Sequence, residues 1–269
     1  MSIAIVDTPG FDDTTRSDAE ILDEITQFLV AQYQLGIPLR GLIYLHRITD
    51  MRMQGSALRY FQMFQKICGE EAFGNVVLVT TMWDQLRDPS IGLKRDQELR
   101  KEFWCMMEKG GSQIYNFDGS SAMAQGIVIG LAGKKDIVLR IQREVNDYGK
   151  TLEDTSAGRL VAPSIYGRIM EAEDEIATLD RYIAEAERNQ DVVVRGKRER
   201  EKSEAESKLA RESQKQNRFK AAIGRETKDN IDNARKSSKK TDGLQLFAAV
   251  LGLSVSLVFN ILPLFGVSI

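Results

Sequence analysis

Residues 75–85, NVVLVTTMWDQ, decide how the first half of this 269-residue chain folds. The segment from Asn75 to Thr81 is apolar without alternation, and a strand that is apolar on both faces is typical of a parallel sheet. An aspartate, Asp84, follows the end of this strand. The stretch therefore predicts a buried strand of an α/β sheet, with a polar loop at its carboxyl end.

The segments around this stretch alternate between strand and helix patterns. Strands are predicted at residues 2–7, 41–48, 75–81 and 112–117, and helices at 18 to about 33, 56–69, about 94–109 and 122–131. In the second helix, Phe61, Phe64 and Ile67 follow helical spacing and Gly69 supplies a C-terminal stop. This alternation predicts a doubly wound α/β sheet over residues 1–135.

Residues 136–240 have a wholly helical pattern. Nine positions alternate spacings of four and three residues, the spacing of a heptad seam: Ile165, Ile169, Ala172, Ile176, Leu179, Ile183, Ala186, Gln190 and Val193. The seam predicts a coiled coil and a homo-oligomer formed through residues 165–193. Beyond it the chain is highly charged, and a solvated helix or a frayed coiled coil is favoured there over a dedicated binding surface.

The last segment, residues 241–269, is a candidate membrane anchor. No charged residue occurs from 244 to 269, and about 20 apolar residues suffice to cross a bilayer as a helix. Residues 197–240 contain 15 lysines and arginines against 8 acids, an excess that suits an anionic membrane surface. We therefore expect a cytoplasmic protein anchored by an apolar C-terminal helix. The alternative is a helix that packs on the protein's own core or on a partner.

The overall composition excludes several classes of function. The net charge is −2, so no basic field argues for nucleic acid as a partner. Two cysteines are too few for a disulfide framework or a metal cage. The single histidine, His46, has no identifiable nucleophile or orienting acid, so no catalytic residue is predicted.

The first candidate motif is Asp7-Thr8-Pro9-Gly10, directly after the strand at residues 2–7. In phosphate-handling α/β domains, a strand-end aspartate holds Mg²⁺, usually through water. A glycine three residues later lets a backbone N–H approach the γ-phosphate closely. The alternative is a strand that simply ends in a Pro-Gly turn.

The second motif is Thr81-Met82-Trp83-Asp84. A carboxylate at Asp84 can accept two hydrogen bonds from guanine N1 and N2, a donor pair that adenine lacks. The usual pattern has lysine where Met82 stands, and a helix N-cap is the alternative role for Asp84.

The third motif is Asp118-Gly119, within YNFDGSSA at residues 115–122. In guanine-nucleotide domains this loop backs the base with main-chain N–H groups, although the same residues also make an ordinary turn. The order and spacing of the three motifs carry more weight than any one of them.

Taken together, the motifs resemble the P-loop GTPases of the septin and immune-associated branch, in particular fungal G domain-containing proteins with a coiled-coil tail. IVDTPGFDDT at residues 5–14 resembles their switch region, and VLVTTMWD at 77–84 their guanine motif. LRGLIYLHRITDMRMQGSALRYF at 39–61 also resembles the fungal group. The resemblance covers residues 1 to about 135. It implies binding of GTP or GDP with Mg²⁺, slow hydrolysis and nucleotide-controlled assembly.

The resemblance also implies roles for individual residues. Asp7 and Gly10 would serve magnesium and the γ-phosphate, with Asp7 as the metal ligand, and Thr81 and Asp84 would serve guanine. The nucleotide-binding residues implied in this way are Asp7, Thr8, Gly10, Thr81, Asp84, Asp118 and Gly119.

The phosphate-binding loop of that family, G-x-x-x-x-G-K-[ST], is not found in the chain. Without the strand before that loop, the strands at 2–7 and 41–48 are expected to have unpaired inner edges. We expect either roughly 50 or more residues upstream of this chain, which is favoured, or a form that has lost nucleotide binding. The alternative function is a non-catalytic coiled-coil scaffold with a relic G domain.

Overall fold

The computed structural model describes residues 2–11, 16–237 and 258–263, which form an α/β fold with more helix than strand. Three parallel strands form the main sheet in the order β2 (Leu42–Arg47), β3 (Val76–Thr81) and β4 (Gln113–Asn116). The central strand is β3, and its first five residues are all buried. The α/β class predicted from the sequence is confirmed by this sheet.

Helices α1, α2 and α5 occupy the positions that the sequence predicts, and α1 and α2 begin at the expected residues. The helix predicted at about 94–109 begins earlier, at Pro89, and is divided into α3 and α4. At the start of α1, Ser17 and Glu20 form a capping box that satisfies free backbone N–H groups. The bounds are α1 (Asp18–Gln34), α2 (Ser56–Cys68), α3 (Pro89–Glu98), α4 (Cys105–Lys109) and α5 (Ser121–Ala132). The helix adopts π geometry between α3 and α4, at Leu99–Trp104, and short 3-10 turns flank β3 at Glu70–Asn75 and Trp83–Gln85.

Different helices cover the two faces of the sheet. On one face, Val77 and Val79 of β3 pack against Ile127 and Leu131 of α5. On the other, Leu78 belongs to a larger core shared with α1 and α2. A sheet covered on both faces explains why β3 is apolar along its whole length.

The larger core continues beyond residue 135, where the sequence suggests a domain boundary. Ile141 of α6 (Arg140–Gln142) and Val145 of the following π turn (Arg143–Asp147) both belong to it. Val161 also contributes, from the first turns of the long helix α7 (Gly158–Arg188). The start of the helical segment is therefore packed into the same core as the sheet.

Helix α7 and the next helix, α8 (Val192–Phe219), form an antiparallel hairpin, which α9 (Ile223–Ser237) follows. The ion pairs between the two helices show the antiparallel arrangement, because residues later in α8 pair with residues earlier in α7. Lys202 Nζ lies 2.6 Å from an Asp180 carboxylate oxygen, and Lys208 Nζ lies 3.7 Å from Glu175. The helical segment thus packs first against itself.

The turn of the hairpin interrupts the predicted heptad seam. Gln190 has a left-handed backbone with φ of 55°, and the Asp191 carboxylate accepts a hydrogen bond from Val194 N at 3.0 Å to cap α8. The seam prediction is therefore wrong at Gln190 and Val193, which lie beyond the end of α7. The physical reason is the turn chemistry at residues 189–191, which outweighs apolar spacing.

The open end of the hairpin is attached to α1. Arg218 Nε lies 3.0 Å from an Asp23 carboxylate oxygen, and Lys215 Nζ lies 3.5 Å from Glu20. Gln34, the last residue of α1, donates a hydrogen bond to the carbonyl of Gly224 at 2.8 Å. These contacts hold α1, α8 and α9 together.

The first strand, β1 (Ser2–Asp7), lies outside the main sheet, so the prediction that it belongs to one doubly wound sheet with the other strands is wrong. It pairs antiparallel with β5 (Val258–Pro263), with Ser2 opposite Pro263 and Asp7 opposite Val258. An unpaired strand has backbone N–H and C=O groups without hydrogen-bond partners, and pairing with β5 supplies partners for those of β1.

This pairing corrects the prediction of an apolar C-terminal helix at the six residues of β5. The segment VFNILP contains β-branched residues that favour strand, and its proline disfavours helix. The other residues of the candidate anchor, 244–257 and 264–269, lie outside the described part of the chain. Within residues 2–11, 16–237 and 258–263, none of the helices has the length and apolar character needed to cross a bilayer.

Candidate functional site

Two of the three sequence motifs lie at the same edge of the main sheet. Strand β3 ends at Thr81, and the 3-10 turn that contains Asp84 follows it. The neighbouring parallel strand β4 ends at Asn116, immediately before the loop with Asp118 and Gly119. Carboxyl ends of parallel strands meet at one edge, so the fold brings these two loops together as the motif order predicts.

A chain of hydrogen bonds connects the two loops. Trp83 Nε1 donates to the Thr80 hydroxyl oxygen at 3.0 Å and to the Thr80 carbonyl at 3.2 Å. The Thr80 hydroxyl donates to Asn116 Oδ1 at 3.2 Å, and Arg100 donates to the same oxygen at 3.2 Å. Arg100 Nε donates to an Asp96 carboxylate oxygen at 2.7 Å. We call these five residues the edge network.

Sequence reasoning missed Asp96, Arg100 and Asn116. Arg100 lies in the π-helical segment Leu99–Trp104, and π geometry within helices is frequent at functional sites. Asp96 is buried, and its second carboxylate oxygen has no hydrogen-bond partner among the described residues. The spacing of Asp96 and Arg100 by four residues was a weak signal, because such pairs occur on many solvated helices.

Asp84 is exposed, and no hydrogen bond to its carboxylate occurs among the described residues. The alternative role of Asp84 as a helix cap is wrong, because Asp88 caps α3 by accepting a hydrogen bond from Ser90 N at 2.9 Å. Met82, before the turn, has a left-handed backbone with φ of 61° and is 39% exposed. Both side chains are therefore accessible to a ligand.

The loop after β4 is an ordered turn. The Asp118 carboxylate accepts a hydrogen bond from Ser120 N at 2.7 Å. Hydrogen bonding to the Ser120 side chain, and then to its backbone N–H, lowers the pKa of Asp118. Ser120 in turn caps α5 by accepting a hydrogen bond from Met123 N at 3.1 Å. Gly119 has φ of 81°, and in the described part of the chain its N–H has no acceptor. The turn predicted as the alternative is present, and it leaves one main-chain donor available.

The phosphate-side residues are placed differently. Asp7, Thr8 and Gly10 are exposed at the end of β1, which belongs to the second sheet. Within the described residues, no hydrogen bond or ion pair joins them to the β3–β4 edge. The next residue, Phe11, stacks on the Tyr60 ring of α2 with 5.7 Å between ring centroids. The loop is thus fastened to α2 through an aromatic contact.

The predicted magnesium ligand, Asp7, is an exposed carboxylate at the end of β1. Mg²⁺ demands near-octahedral oxygen coordination and is usually bound by one or two carboxylates together with waters and substrate phosphates. Among residues 2–11, 16–237 and 258–263, no three acidic, histidine or cysteine side chains are grouped to hold a metal ion. The role of Asp7 as a magnesium ligand stays a prediction.

His46 lies on β2, behind the candidate edge. It is buried, and its ring meets the edge of the Trp104 ring with 6.2 Å between centroids. Burial lowers the pKa of His46, so the neutral imidazole is favoured in the folded protein. This environment suits a packing role better than proton transfer.

No protein-family model matches this chain, and no curated protein sequence or solved structure matches it either. What the chain does is therefore inferred from its own residues and their geometry.

Proposed function

We propose that this chain is a GTPase-like protein that binds the guanine base of GTP or GDP at the β3–β4 edge. Its helical hairpin serves assembly, and its apolar C-terminal segment serves association with a membrane. The observation that carries the proposal is the position of Asp84 and Gly119 on two loops that follow neighbouring parallel strands. Ligands of α/β sheets bind outside the carboxyl ends of the strands.

The proposed preference for guanine follows from the hydrogen-bond donors and acceptors that these loops present. The free Asp84 carboxylate accepts hydrogen bonds from guanine N1 and N2, and the Gly119 N–H is available to back the base. The exposed thioether chain of Met82 can lie along the base plane, where the usual lysine would lay its aliphatic stem. Adenine lacks the donor pair for Asp84, so the site favours guanine.

The edge network supports this proposal by holding both loops before a ligand arrives. Thr80 precedes the Asp84 turn and Asn116 precedes the Gly119 loop, and the two are joined directly. Loops fixed in advance lose less conformational entropy on binding. We therefore expect base recognition without a large rearrangement of the edge.

Binding of the phosphates is expected to be weak. The sequence has no phosphate-binding loop, and the described residues around Asp84 and Gly119 include no cradle of backbone N–H groups for phosphates. Guanosine, GDP and GTP should therefore bind this chain with similar, low affinity. Nanomolar binding of GTP that is abolished by Asp84→Ala would overturn this expectation.

Asp84→Asn provides the sharpest test. An amide at this position cannot accept both guanine hydrogen bonds, but it can donate to the carbonyl that xanthine has at C2. A hydrogen bond to a charged group contributes about 1.5–3 kcal/mol, so affinity for guanosine should fall by at least about tenfold while affinity for xanthosine rises. Calorimetric titration with guanosine, xanthosine and adenosine measures both changes.

Asp88→Asn is the matched control, since it makes the same change four residues away on an acid that caps α3. It should leave the preference for guanosine unchanged. Equal binding of guanosine and adenosine by the unmodified chain would contradict the proposal.

A second candidate function is a non-catalytic scaffold in which the α/β part is a relic and the helical segment oligomerises. It is favoured by α7, a 31-residue helix with heptad spacing from Ile165 to Ala186. Self-association in sedimentation experiments, without any preference for guanine, would favour the scaffold over the nucleotide-binding protein.

The proposed membrane association depends on the apolar C-terminal segment. Removing residues 244–269 would distinguish a membrane anchor from a segment that packs on the protein itself or on a partner. We expect the full chain to sediment with membranes on cell fractionation and the shortened chain to remain in the supernatant. Identical behaviour of the two would contradict an anchor.

A further inference from the structure

The apolar side chains of α7 form two parallel stripes. Ile165, Ala172, Leu179 and Ala186, spaced by seven residues, are all buried, and the hairpin packs them against α8. Ile169, Ile176 and Ile183 form the second stripe, and all three are half-buried, with Ile169 also packed against the larger core. We call this second set the open stripe.

The larger side chains of α7 lie in the open stripe and not in the buried one, which is unusual. The buried stripe contains two alanines, whereas the open stripe contains only isoleucine, a residue type that is most often fully buried. Beside the open stripe, Met170 is 68% exposed, and Ala177 and Ala184 continue the apolar surface at seven-residue spacing. Helix α7 therefore carries more apolar surface than one neighbouring helix covers, as helices of bundles do.

Helix α8 offers little to extend this cover. Its buried side chains are Ala205, Glu212 and Phe219, and Lys202 reaches across to the carboxylate of Asp180. Only one aliphatic residue as large as leucine, Leu209, lies on α8 beyond the valines of the turn. The surface that completes the open stripe must come from elsewhere.

We infer that the open stripe is the contact surface for a second copy of this chain, docked antiparallel about a two-fold axis near Ile176 and Ala177. The stripe is self-complementary in this arrangement, because Ile169 and Ile183 lie seven residues on either side of Ile176. A two-fold axis there brings Ile169 against Ile183 of the partner subunit and the reverse. Such isologous contacts are the commonest way in which soluble proteins dimerise.

The charges of the helices limit the arrangement, because two acidic α7 helices in contact repel each other unless the basic α8 of each partner lies beside them. Helix α7 carries seven acidic and four basic residues, whereas α8 carries five acidic and nine basic residues. Two hairpins that join through their α7 helices form a four-helix bundle, in which an acidic α7 can neighbour the partner's basic α8. Opposite charge between neighbouring helices sets partner choice and orientation in such bundles.

This inference rests on the scaffold function proposed above and names its contact surface. Sedimentation velocity of the full chain over a range of concentrations is the first measurement, with a reversible dimer expected. Ile176→Asp should weaken the dimer by about 30-fold or more, because it places a charge at the centre of the contact in both copies. Val193→Asp is the matched control: Val193 is 83% exposed at the hairpin turn, away from the stripe, and its replacement should leave the dimer unchanged.

A crosslinking experiment avoids any effect of Ile176→Asp on the hairpin itself. Ala177→Cys is placed in a chain with Cys105→Ser, which leaves only the buried native thiol of Cys68. Because Ala177 is exposed and lies at the proposed axis, mild oxidation should yield disulfide-linked dimers. Ser207→Cys, on the exposed side of α8, should yield few.

The outcomes separate the two ideas. A chain that remains monomeric at all concentrations overturns both the contact surface and the scaffold function. A dimer that is insensitive to Ile176→Asp, or that crosslinks equally well from Ala177 and Ser207, overturns the contact surface and leaves the scaffold function standing.

Discussion

The two halves of the candidate nucleotide site are built in different ways. The β3–β4 edge follows a strand whose first five residues are buried, and the hydrogen bonds of the edge network hold its loops. Asp7, by contrast, is exposed at the end of β1, which pairs only with β5 in the described chain. Both regions show the same sequence signal, an apolar strand followed by an aspartate. The residues that surround a strand therefore decide whether the loop that follows it is held in place.

The largest expected effect tests the difference in burial between the two regions. Val79 of β3 is almost fully buried, so Val79→Ala should lower the free energy of unfolding by about 2–3 kcal/mol. Val6→Ala in β1 is the matched control. Because Val6 is only half-buried, this substitution should lower the free energy of unfolding by about 1 kcal/mol. Urea unfolding measures both, and equal losses would remove the proposed contrast.

Thr80→Val should give the next largest effect, because it removes the central hydroxyl of the edge network without changing side-chain volume. Thr80 is completely buried, and loss of its hydroxyl should reduce the free energy of unfolding by about 1–2 kcal/mol. Hydrogen exchange of the Trp83 indole N–H should also become faster. Thr81→Val, which removes only a long contact of 3.4 Å to the His46 carbonyl, should change exchange of this proton little.

A pH dependence specific to the main sheet is expected from His46. Burial, the largest cause, lowers its pKa in the folded state, with Arg47 acting in the same direction and Asp50 against it. The unfolded state then binds more protons, so the stability from His46 is fully present above about pH 6.5. It is lost as the pH falls below that value and through the lower folded-state pKa, by at most about 1.4 kcal/mol per pH unit. Unfolding at pH 7.5 and 5.5 measures this loss, and His46→Gln should reduce the difference; an undiminished difference would assign it to other groups.

Asp7→Ala should have the smallest effect. The side chain is exposed and lies at the end of a strand held by backbone pairing, so stability should change by less than about 0.5 kcal/mol. Thermal unfolding provides the measurement. A larger loss would mean that Asp7 has contacts that organise the β1–β5 sheet, and the two regions would then be more alike than proposed.

Local signals explain what could be predicted from the sequence. The start of α1 follows from Ser17 and Glu20, the end of α2 from Gly69, and the central position of β3 from its uninterrupted apolar run. Each of these signals acts over a few residues, so it can be recognised in a short stretch of the sequence. The adjacency of Asp84 and Gly119 followed in turn from the parallel order of β3 and β4.

Contacts between distant residues could not be predicted in this way. The partner of β1 lies more than 250 residues away, and apolar composition made that partner resemble a membrane helix. The edge network depends on Arg100 meeting Asn116 across the end of a strand, which no spacing rule indicates. The heptad spacing continued by chance through Gln190 and Val193, although the chain turns there.

The attachment of the hairpin to α1 has a mechanical consequence. With a rise of about 1.5 Å per residue, α7 is about 46 Å long, and its far end lies well away from the sheet. Helix α1, which begins at Asp18, is the helix that Arg218 and Lys215 contact at the hairpin's open end. If the hairpin tilted by about 5°, the end of a helix of this length would be displaced by about 4 Å. In such a tilt, residues near the hairpin turn would move further than the contacts at α1.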